Sequence, residues 1–533
     1  MKKIFEKHGV LRCIAAFMDI VALILFIVAA FVDGETADMV LKFIGILLYT
    51  IGSMMLVFTG KDHYLSKSIL VFVSSALILS WLYPSGVFQG TDFSVQDFSR
   101  IGLADMGFVL YYALQSIMDK IIFLIVVAGF YGVLSKVSGY QKLVGKLADK
   151  CSNHPIVTSV VTSVILFLLT TLFTQSFAMI LFLPFLISVL TKMGMDKLTS
   201  FVITFGSVLV GILGCTYGTD SLTIFNKYMG QETTYAINYR YIIAAVSIVL
   251  YNFFIVMRVR KISKDMKKNA KANNVLDDPF KVEKLSGKEK TSLVPAIIVL
   301  AITVIIVVLG YINWNGYFEI EIFDKFHEWL IGLEAGEDFT IFSYILGNNA
   351  NALGSFKYTF SISMLLIIAS VVIAFLYKMK TNEYIESFYE GTKNMFKPML
   401  LLLAAGMLFG IANLCLAPLS ICNWLINLTK GFNPYLTSVV AFITSLFQTD
   451  LGYVAYTCGS FFTQAFSGNV EIIHTIFTSM YGLVQVFMPT SAILIVGLSM
   501  MKIEYKDWVK YIWLFALGML VILLVLFTVV TYI

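Results

Sequence analysis

Long apolar runs separated by short polar loops dominate the chain. A helix rises 1.5 Å per residue, so about 20 apolar residues cross the roughly 30 Å hydrocarbon core of a bilayer. Runs of that kind recur at 13–32, 40–58, 69–83, 121–134, 198–214, 241–257, 293–312, 358–376, 399–416, 472–498 and 509–532. These eleven predict transmembrane helices. Two further apolar stretches, 155–190 and 434–466, carry polar residues in their middle and do not read as single spans.

Loop charge orients the spans, because cytoplasmic loops are enriched in Lys and Arg. Lys61 and Lys67 follow the second span, and Lys136, Lys142, Lys146 and Lys150 follow the fourth. The loop 258–290 carries eleven Lys or Arg against five acids, and Lys378, Lys380, Lys393 and Lys397 follow the eighth span. The intervening loops are poor in basic residues: DGETAD, GTDFSVQDF and FEIEIFDKFHEWLIGLEAGED. The alternation holds only if each interrupted stretch returns to the side it came from. Both therefore read as re-entrant hairpins, 155–192 opening inward and 434–466 opening outward, with their tips near the midplane. The N-terminus is then cytoplasmic and the C-terminus outside.

The hairpins also share a sequence. HPIVTSVV (154–161) and NPYLTSVV (433–440) agree at five of eight positions. AGFYG (128–132) precedes the first and AGMLFG (405–410) the second at nearly the same distance. Downstream, YGTDSL (217–222) corresponds to MPTSAI (488–493). Three landmarks in the same order indicate duplication. The copies begin five spans apart, an odd number, so they face opposite ways across the bilayer. The fold class is an all-α polytopic membrane protein with two re-entrant hairpins in an inverted repeat.

Composition agrees: 59% of the 533 residues are hydrophobic, 13% are charged, and mean hydropathy is +0.85. Soluble domains average roughly 45–50% apolar and about 25% charged residues. In this setting a net charge of +5 reports orientation and carries no suggestion of nucleic acid. The first apolar run is too long for a signal peptide and reads as an uncleaved span. Six scattered cysteines include no C-x-x-C pair, so neither a disulfide framework nor a zinc site is expected. No phosphate-binding G-x-x-x-x-G-K-[ST] motif supports ATP-driven transport. Asp19 follows Arg12 by seven residues on a similar helix face and reads as its partner or as snorkelling. FEIEIFDKFHEW (318–329) reads as an outer interfacial helix with His327 exposed.

Inverted repeats with interrupted helices place transport sites where the helices break. A break in hydrocarbon frees N–H and C=O groups, each costly unless protein, water or ligand satisfies it. Half-helix N-termini then attract anions and C-terminal carbonyls attract cations. Four breaks are candidates. The first tip, LTTLFTQSF, holds Thr170, Thr171, Thr174, Gln175 and Ser176; the second, LFQTDLGY, holds Gln448, Thr449 and Asp450. The others are GCTYGTDS, with Gly218, Thr219 and Asp220, and FMPTS, with Pro489, Thr490 and Ser491. Any one of these hydroxyls has a bland alternative, a bond back to its own helix. Asp220 stands at a span's end and has a second reading as an outer surface acid. Asp450 is harder to explain away, because an acid deep in a membrane costs about 2.5–3.5 kcal/mol. With Thr449 and Thr490 it makes a candidate Na⁺ site; no other cofactor is expected. Of the five arginines, none lies in a hairpin or broken helix. A carboxylate substrate would then be held by helix ends, hydroxyls, amides or a bound cation.

The run VFMPTSAILIVGLSMMKIEYKDWVKYIWLF (486–515) resembles the ending of YfcC-type carriers. These belong to the ion transporter superfamily, with the anaerobic four-carbon dicarboxylate carriers and arginine/ornithine antiporter-like proteins. IGLADMG (101–107), DKIIFLIVVAGFYGVLSKVSGY (119–140) and YIESFYEGTKNM (384–395) resemble them as well. The resemblance implies eleven spans, two opposed hairpins, a substrate site at the tips, elevator-like alternating access, cation coupling or exchange, and a homodimer. Thr490 and Ser491 match the family's broken-helix motif. The tips TTLFTQS and QTDLG depart from its Gly-rich acidic and Ser-Gly-rich tips.

The chain accordingly divides into N-terminal scaffold spans (1–100), a first repeat (101–257), a cytoplasmic linker (258–292) that can touch anionic lipid, and a second repeat (293–533). The expected function is secondary transport of a small organic anion, such as a dicarboxylate, or of an amino acid, coupled to Na⁺ or H⁺ or by exchange. A passive channel and a membrane-embedded enzyme are the alternatives; the chain has no metal or nucleophile cluster to support the second.

Overall fold

In the computed structural model, residues 2–90, 92–218, 220–232, 234–271, 292–334, 339–347, 350–429, 431–447 and 451–532 are described. Among them, 10 helices are long and apolar enough to cross a membrane. The protein is an all-α, multi-pass membrane protein, as its hydrophobic periodicity predicts. Two of the expected spans come out shorter. Phe360–Leu376 has 17 residues, and the run from Lys197 to Leu213 is interrupted by a π-helical turn at Val202–Gly206. Conversely, Pro155–Leu172, expected as a hairpin arm, is itself 18 residues long, about 27 Å at helical rise. The helix Ile237–Lys271 runs well into the expected linker, and residues 272–291 lie outside the described residues.

The chain forms two compact units whose limits cut across the repeats. One comprises Met1–Ile117, Lys227–Gly230 and Pro398–Ile533. Here Lys2–Ala29 packs along Glu35–Thr59. Arg12 does not pair with Asp19: its Nη2 donates to Thr59 O at 2.7 Å, at the C-terminal end of the neighbouring helix, where a cation is favoured. Asp19 Oδ2 instead accepts a long bond, 3.5 Å, from Ser53 Oγ. The loop GTDFSVQDF contributes an unexpected antiparallel hairpin, Gly86–Gln89 with Asp92–Val95. Phe88 of this hairpin stacks on Phe461, centroids 4.4 Å apart.

The other unit comprises Met118–Asn226 and Gln231–Lys397. It contains the amphipathic helix Ser138–Cys151, the arm Pro155–Leu172 and the full-length helix Val294–Tyr311. It also holds the short helix Ile322–Ile331, with Ile322, Phe326 and Trp329 exposed along one face and a Glu321–Lys325 ion pair at 2.8 Å. A helix is present in the expected stretch, starting at Ile322 after Glu319 adopts φ 57°.

The duplication is visible as element order. After a long helix, Met106–Lys136 or Phe396–Leu414, comes a shorter one, Ser138–Cys151 or Ala417–Ile426. A hairpin arm follows, Pro155–Leu172 or Pro434–Phe447, then a return arm and a helix ending in a break. Each copy closes with a short helix, Asp220–Tyr228 or Ala492–Met500, and a long one, Ile237–Lys271 or Tyr505–Tyr532. The packing repeats as well: each first arm lies against the helix before its break and the long helix after it. Proline opens both arms, at Pro155 and Pro434, where the missing N–H has no helical partner to lose.

Candidate functional site

The first arm is helical to Leu172, and several of its hydroxyls are turned onto its own backbone. Ser159 Oγ donates to Pro155 O at 2.7 Å, Thr170 Oγ1 to Leu166 O at 2.7 Å, and Thr171 Oγ1 to Leu168 O at 2.8 Å. Phe173 then turns extended, and the tip is tied down. Thr174 N donates to Tyr311 O at 2.9 Å and Thr174 Oγ1 to Phe356 O at 2.5 Å. Phe173 stacks on Tyr311 at 5.6 Å, and Tyr311 meets Phe356 edge-on at 5.7 Å. Gln175 Oε1 accepts from Phe177 N at 3.3 Å, capping the 3₁₀ segment Ser176–Leu181. Ser176 is half-buried at its start.

The hairpin starts and finishes beside one helix. Pro155 closely follows Ser138–Cys151, and Lys192 Nζ donates to Gln141 O of that helix at 3.1 Å. The start of Val294–Tyr311 is there too: a Cβ on Gly139 would stand 2.6 Å from Ser292 O. The arm and Val294–Tyr311 are both 18 residues long. The first tip meets the C-terminal end of that helix, at Tyr311 and Ile312.

The break at 214–218 is stitched to this tip. Thr171 O, released by the end of the arm, accepts from Gly218 N at 2.9 Å, Tyr217 N at 3.2 Å and Thr216 Oγ1 at 3.3 Å. Two interruptions in neighbouring helices thus satisfy each other's backbone groups. The approach is close enough to require glycine, since a Cβ on Gly218 would fall 2.5 Å from Phe173 O. Arg240, at the start of Ile237–Lys271, is buried with 2% exposure and donates from Nη2 to Tyr235 O at 2.8 Å. Cys215 and Tyr217 of the break, with Tyr241 and Tyr317, form its electrostatic surroundings. A guanidinium therefore stands beside the first break, although no arginine lies within it in sequence.

In the second copy, Pro489 ends Val470–Phe487 because it has no N–H for Gln485 O. The carbonyls at that end are met by side chains of Tyr505–Tyr532. Trp508 Nε1 donates to Val486 O at 3.0 Å and Tyr505 Oη to Phe487 O at 2.8 Å. Ser491 N closes a turn on Met488 O at 3.1 Å, and Ala492–Met500 begins there. Thr490 and Ser491 are buried. Ser491 stands at the N-cap of that helix, yet its Oγ makes no capping bond and has no hydrogen-bond partner among the described residues. A buried hydroxyl left unbonded at a helix N-terminus is suited to an anionic ligand. On the return arm, Leu451 and Gly452 are buried, and Tyr453 Oη donates to Asn413 Oδ1 of Phe396–Leu414 at 3.0 Å.

Thr219, Gln448, Thr449 and Asp450, and the side chain of Asp220, lie outside the described residues. The structure joins Thr170, Thr171, Thr174, Gln175 and Gly218 into one bonded tip, with their polar groups engaged by backbone, and groups Pro489, Thr490 and Ser491 at the second break. Among the described residues no set of three or more His, Cys, Asp or Glu is arranged to hold a metal ion. Arg240 and Asn413 were not expected. Arg240 is separated from the break by some 20 positions of chain, and only folding brings it there. Asn413 carried one signal, a lone amide near the end of an apolar helix.

The sequence model described as DcuC: C4-dicarboxylate anaerobic carrier matches residues 63–532. No curated protein matches the chain. Among solved structures, the YdaH transporter of Alcanivorax borkumensis is similar over 88% of this chain and 98% of its own, with 11% identity and a TM-score of 0.39.

Proposed function

The chain belongs to the C4-dicarboxylate anaerobic carrier family, and we propose that it moves C4-dicarboxylates across the membrane by coupling to Na⁺ or H⁺ or by exchange. It is a secondary transporter and not an enzyme. The family match over residues 63–532 carries the substrate class. The finer likeness to YfcC-type and arginine/ornithine antiporter-like proteins rests on the sequence runs alone.

A dicarboxylate bears two charges, and bare charges are strongly disfavoured in hydrocarbon. The carrier must therefore neutralise or hydrogen-bond both ends. In this reading Ser491 Oγ, Thr490 and the N-terminus of Ala492–Met500 bind carboxylate oxygens. Asp450, with Thr449 and Thr490, binds the coupling cation. Elevator-like movement, a homodimer, a cytoplasmic N-terminus and an outer C-terminus complete the proposal.

Counterflow tests it. Proteoliposomes preloaded with unlabelled succinate should transiently accumulate labelled succinate, and external fumarate should compete. A passive channel gives equilibration without accumulation. Accumulation driven by amino acids but by no C4-dicarboxylate would overturn the substrate assignment.

A further inference from the structure

The second hairpin's arm does not close onto the last helix. Between Pro434–Phe447, Val470–Phe487 and Tyr505–Tyr532 runs a groove of about 630 Å³. Its walls are Val439 and Phe442 on one side and Ala516 and Leu520 on the other, with Met480 and Leu483 as floor. In the first copy the corresponding helices come close at one point. There Gly214 brings its helix against Ile237–Lys271, and a Cβ at Gly214 would stand 3.0 Å from Ala244 Cα and 2.7 Å from the Phe167 ring.

Water is a poor occupant, because it needs two to four polar partners. The two hydroxyls of the lining are already used: Ser438 Oγ donates to Pro434 O at 2.6 Å, and Tyr435 Oη bonds Thr528 Oγ1 at 2.7 Å. The groove is continuous with a hydrocarbon-facing surface, since Leu514, Leu517, Val521 and Val525 of the same helix are exposed and apolar. It follows that helix from Val509 to Leu524, about 22 Å at helical rise, which accommodates a chain of one leaflet, about 15 Å deep. One end is spanned by the Tyr435–Thr528 bond. The other meets the Phe442–Phe487 ring pair, centroids 6.4 Å apart, immediately before the Pro489 break.

We propose that an acyl chain of a membrane phospholipid occupies this groove as a bound ligand, wedged between the arm of the second hairpin and the C-terminal helix. The inference rests on the membrane fold and is independent of the substrate.

The experiment uses the full chain in proteoliposomes containing a phosphatidylcholine with a photoactivatable diazirine on its acyl chain, followed by mapping of the adducts. Met480 is the diagnostic residue, because it is buried in the floor and is reached only from within the groove. The proposal expects adducts at Met480 and Leu483 in addition to Leu514 and Val525. Filling the groove with A516F, or with V439F should A516F misfold, removes the floor adducts and spares those on Val525. Labelled Leu514 and Val525 with an unlabelled floor overturns it. So does floor labelling that persists in both filled variants, or V439C cross-linking to L517C of a second copy, which would assign the groove to a protein interface.

Discussion

The amide of Gly218 donates to the carbonyl of Thr171 at 2.9 Å, joining the break of one helix to the tip of another. The contact depends on the absence of a side chain, since a Cβ on Gly218 would overlap Phe173 O at 2.5 Å. G218A forces backbone apart at a point where three donors converge on one carbonyl. Overpacking of this kind costs about 1–3 kcal/mol. The variant should unfold at lower temperature in detergent and lose uptake at the same time. Unchanged thermal unfolding would show that the tip yields without cost.

Ser491 makes the opposite prediction. Its Oγ is buried without a partner among the described residues, and an unsatisfied buried polar group costs about 1–3 kcal/mol. S491A should therefore leave the substrate-free protein as stable as before, or more so. A hydrogen bond to a charged ligand contributes about 1.5–3 kcal/mol, so its loss should weaken dicarboxylate binding by roughly 10- to 100-fold. Isothermal titration and thermal unfolding of the same sample separate the two effects. Reduced stability with intact affinity would make Ser491 structural.

These two residues show how far the sequence carries. Pro489 and the glycines of GCTYGTDS mark both breaks, because helices cannot pass them without losing backbone bonds, and the repeated octet marks both arms. Those features are local. The anchoring of the first tip is not, since it depends on Tyr311 and Phe356, distant in sequence and brought in by the fold. The strands Gly86–Gln89 and Asp92–Val95 have four residues each, too few for alternation to stand out from a polar loop. Residues 293–397 belong by sequence order with the second repeat, yet they pack in the same unit as the first hairpin. Duplication records descent, and contact follows burial.

Arg240 is the missed cation. It is 2% exposed, and burying a guanidinium is expensive unless its charge is used. Should it hold a carboxylate of the substrate, R240Q raises the KM for succinate strongly, while R240K recovers part of the loss, keeping the charge without the planar fork. A purely structural Arg240, acting through its bond to Tyr235 O, gives a different result. R240Q then lowers thermal stability and the amount of folded carrier, with KM unchanged in what remains. Uptake kinetics normalised to folded protein distinguish the two.

Asp450 decides how the dianion is coupled. It lies outside the described residues, so its role rests on sequence: an acid in the apolar stretch 434–466, with no Lys or Arg at either tip. Left ionised and unpaired there, it would be strongly disfavoured, and a bound cation relieves that cost. D450N keeps the shape and removes the charge. As a Na⁺ ligand, Asp450 predicts that D450N needs far more Na⁺ for the same succinate uptake, while succinate exchange at saturating Na⁺ survives. As a proton carrier, it predicts intact exchange and loss of accumulation driven by a pH gradient, with Na⁺ irrelevant. A partner for a substrate ammonium predicts neither, because succinate has no amine; D450N would then impair amino acids alone. The dicarboxylate reading favours the Na⁺ outcome, since Thr449 and Thr490 offer the oxygen donors a hard cation takes. D450N proteoliposomes that accumulate succinate normally at every Na⁺ concentration and pH would remove Asp450 from the coupling site.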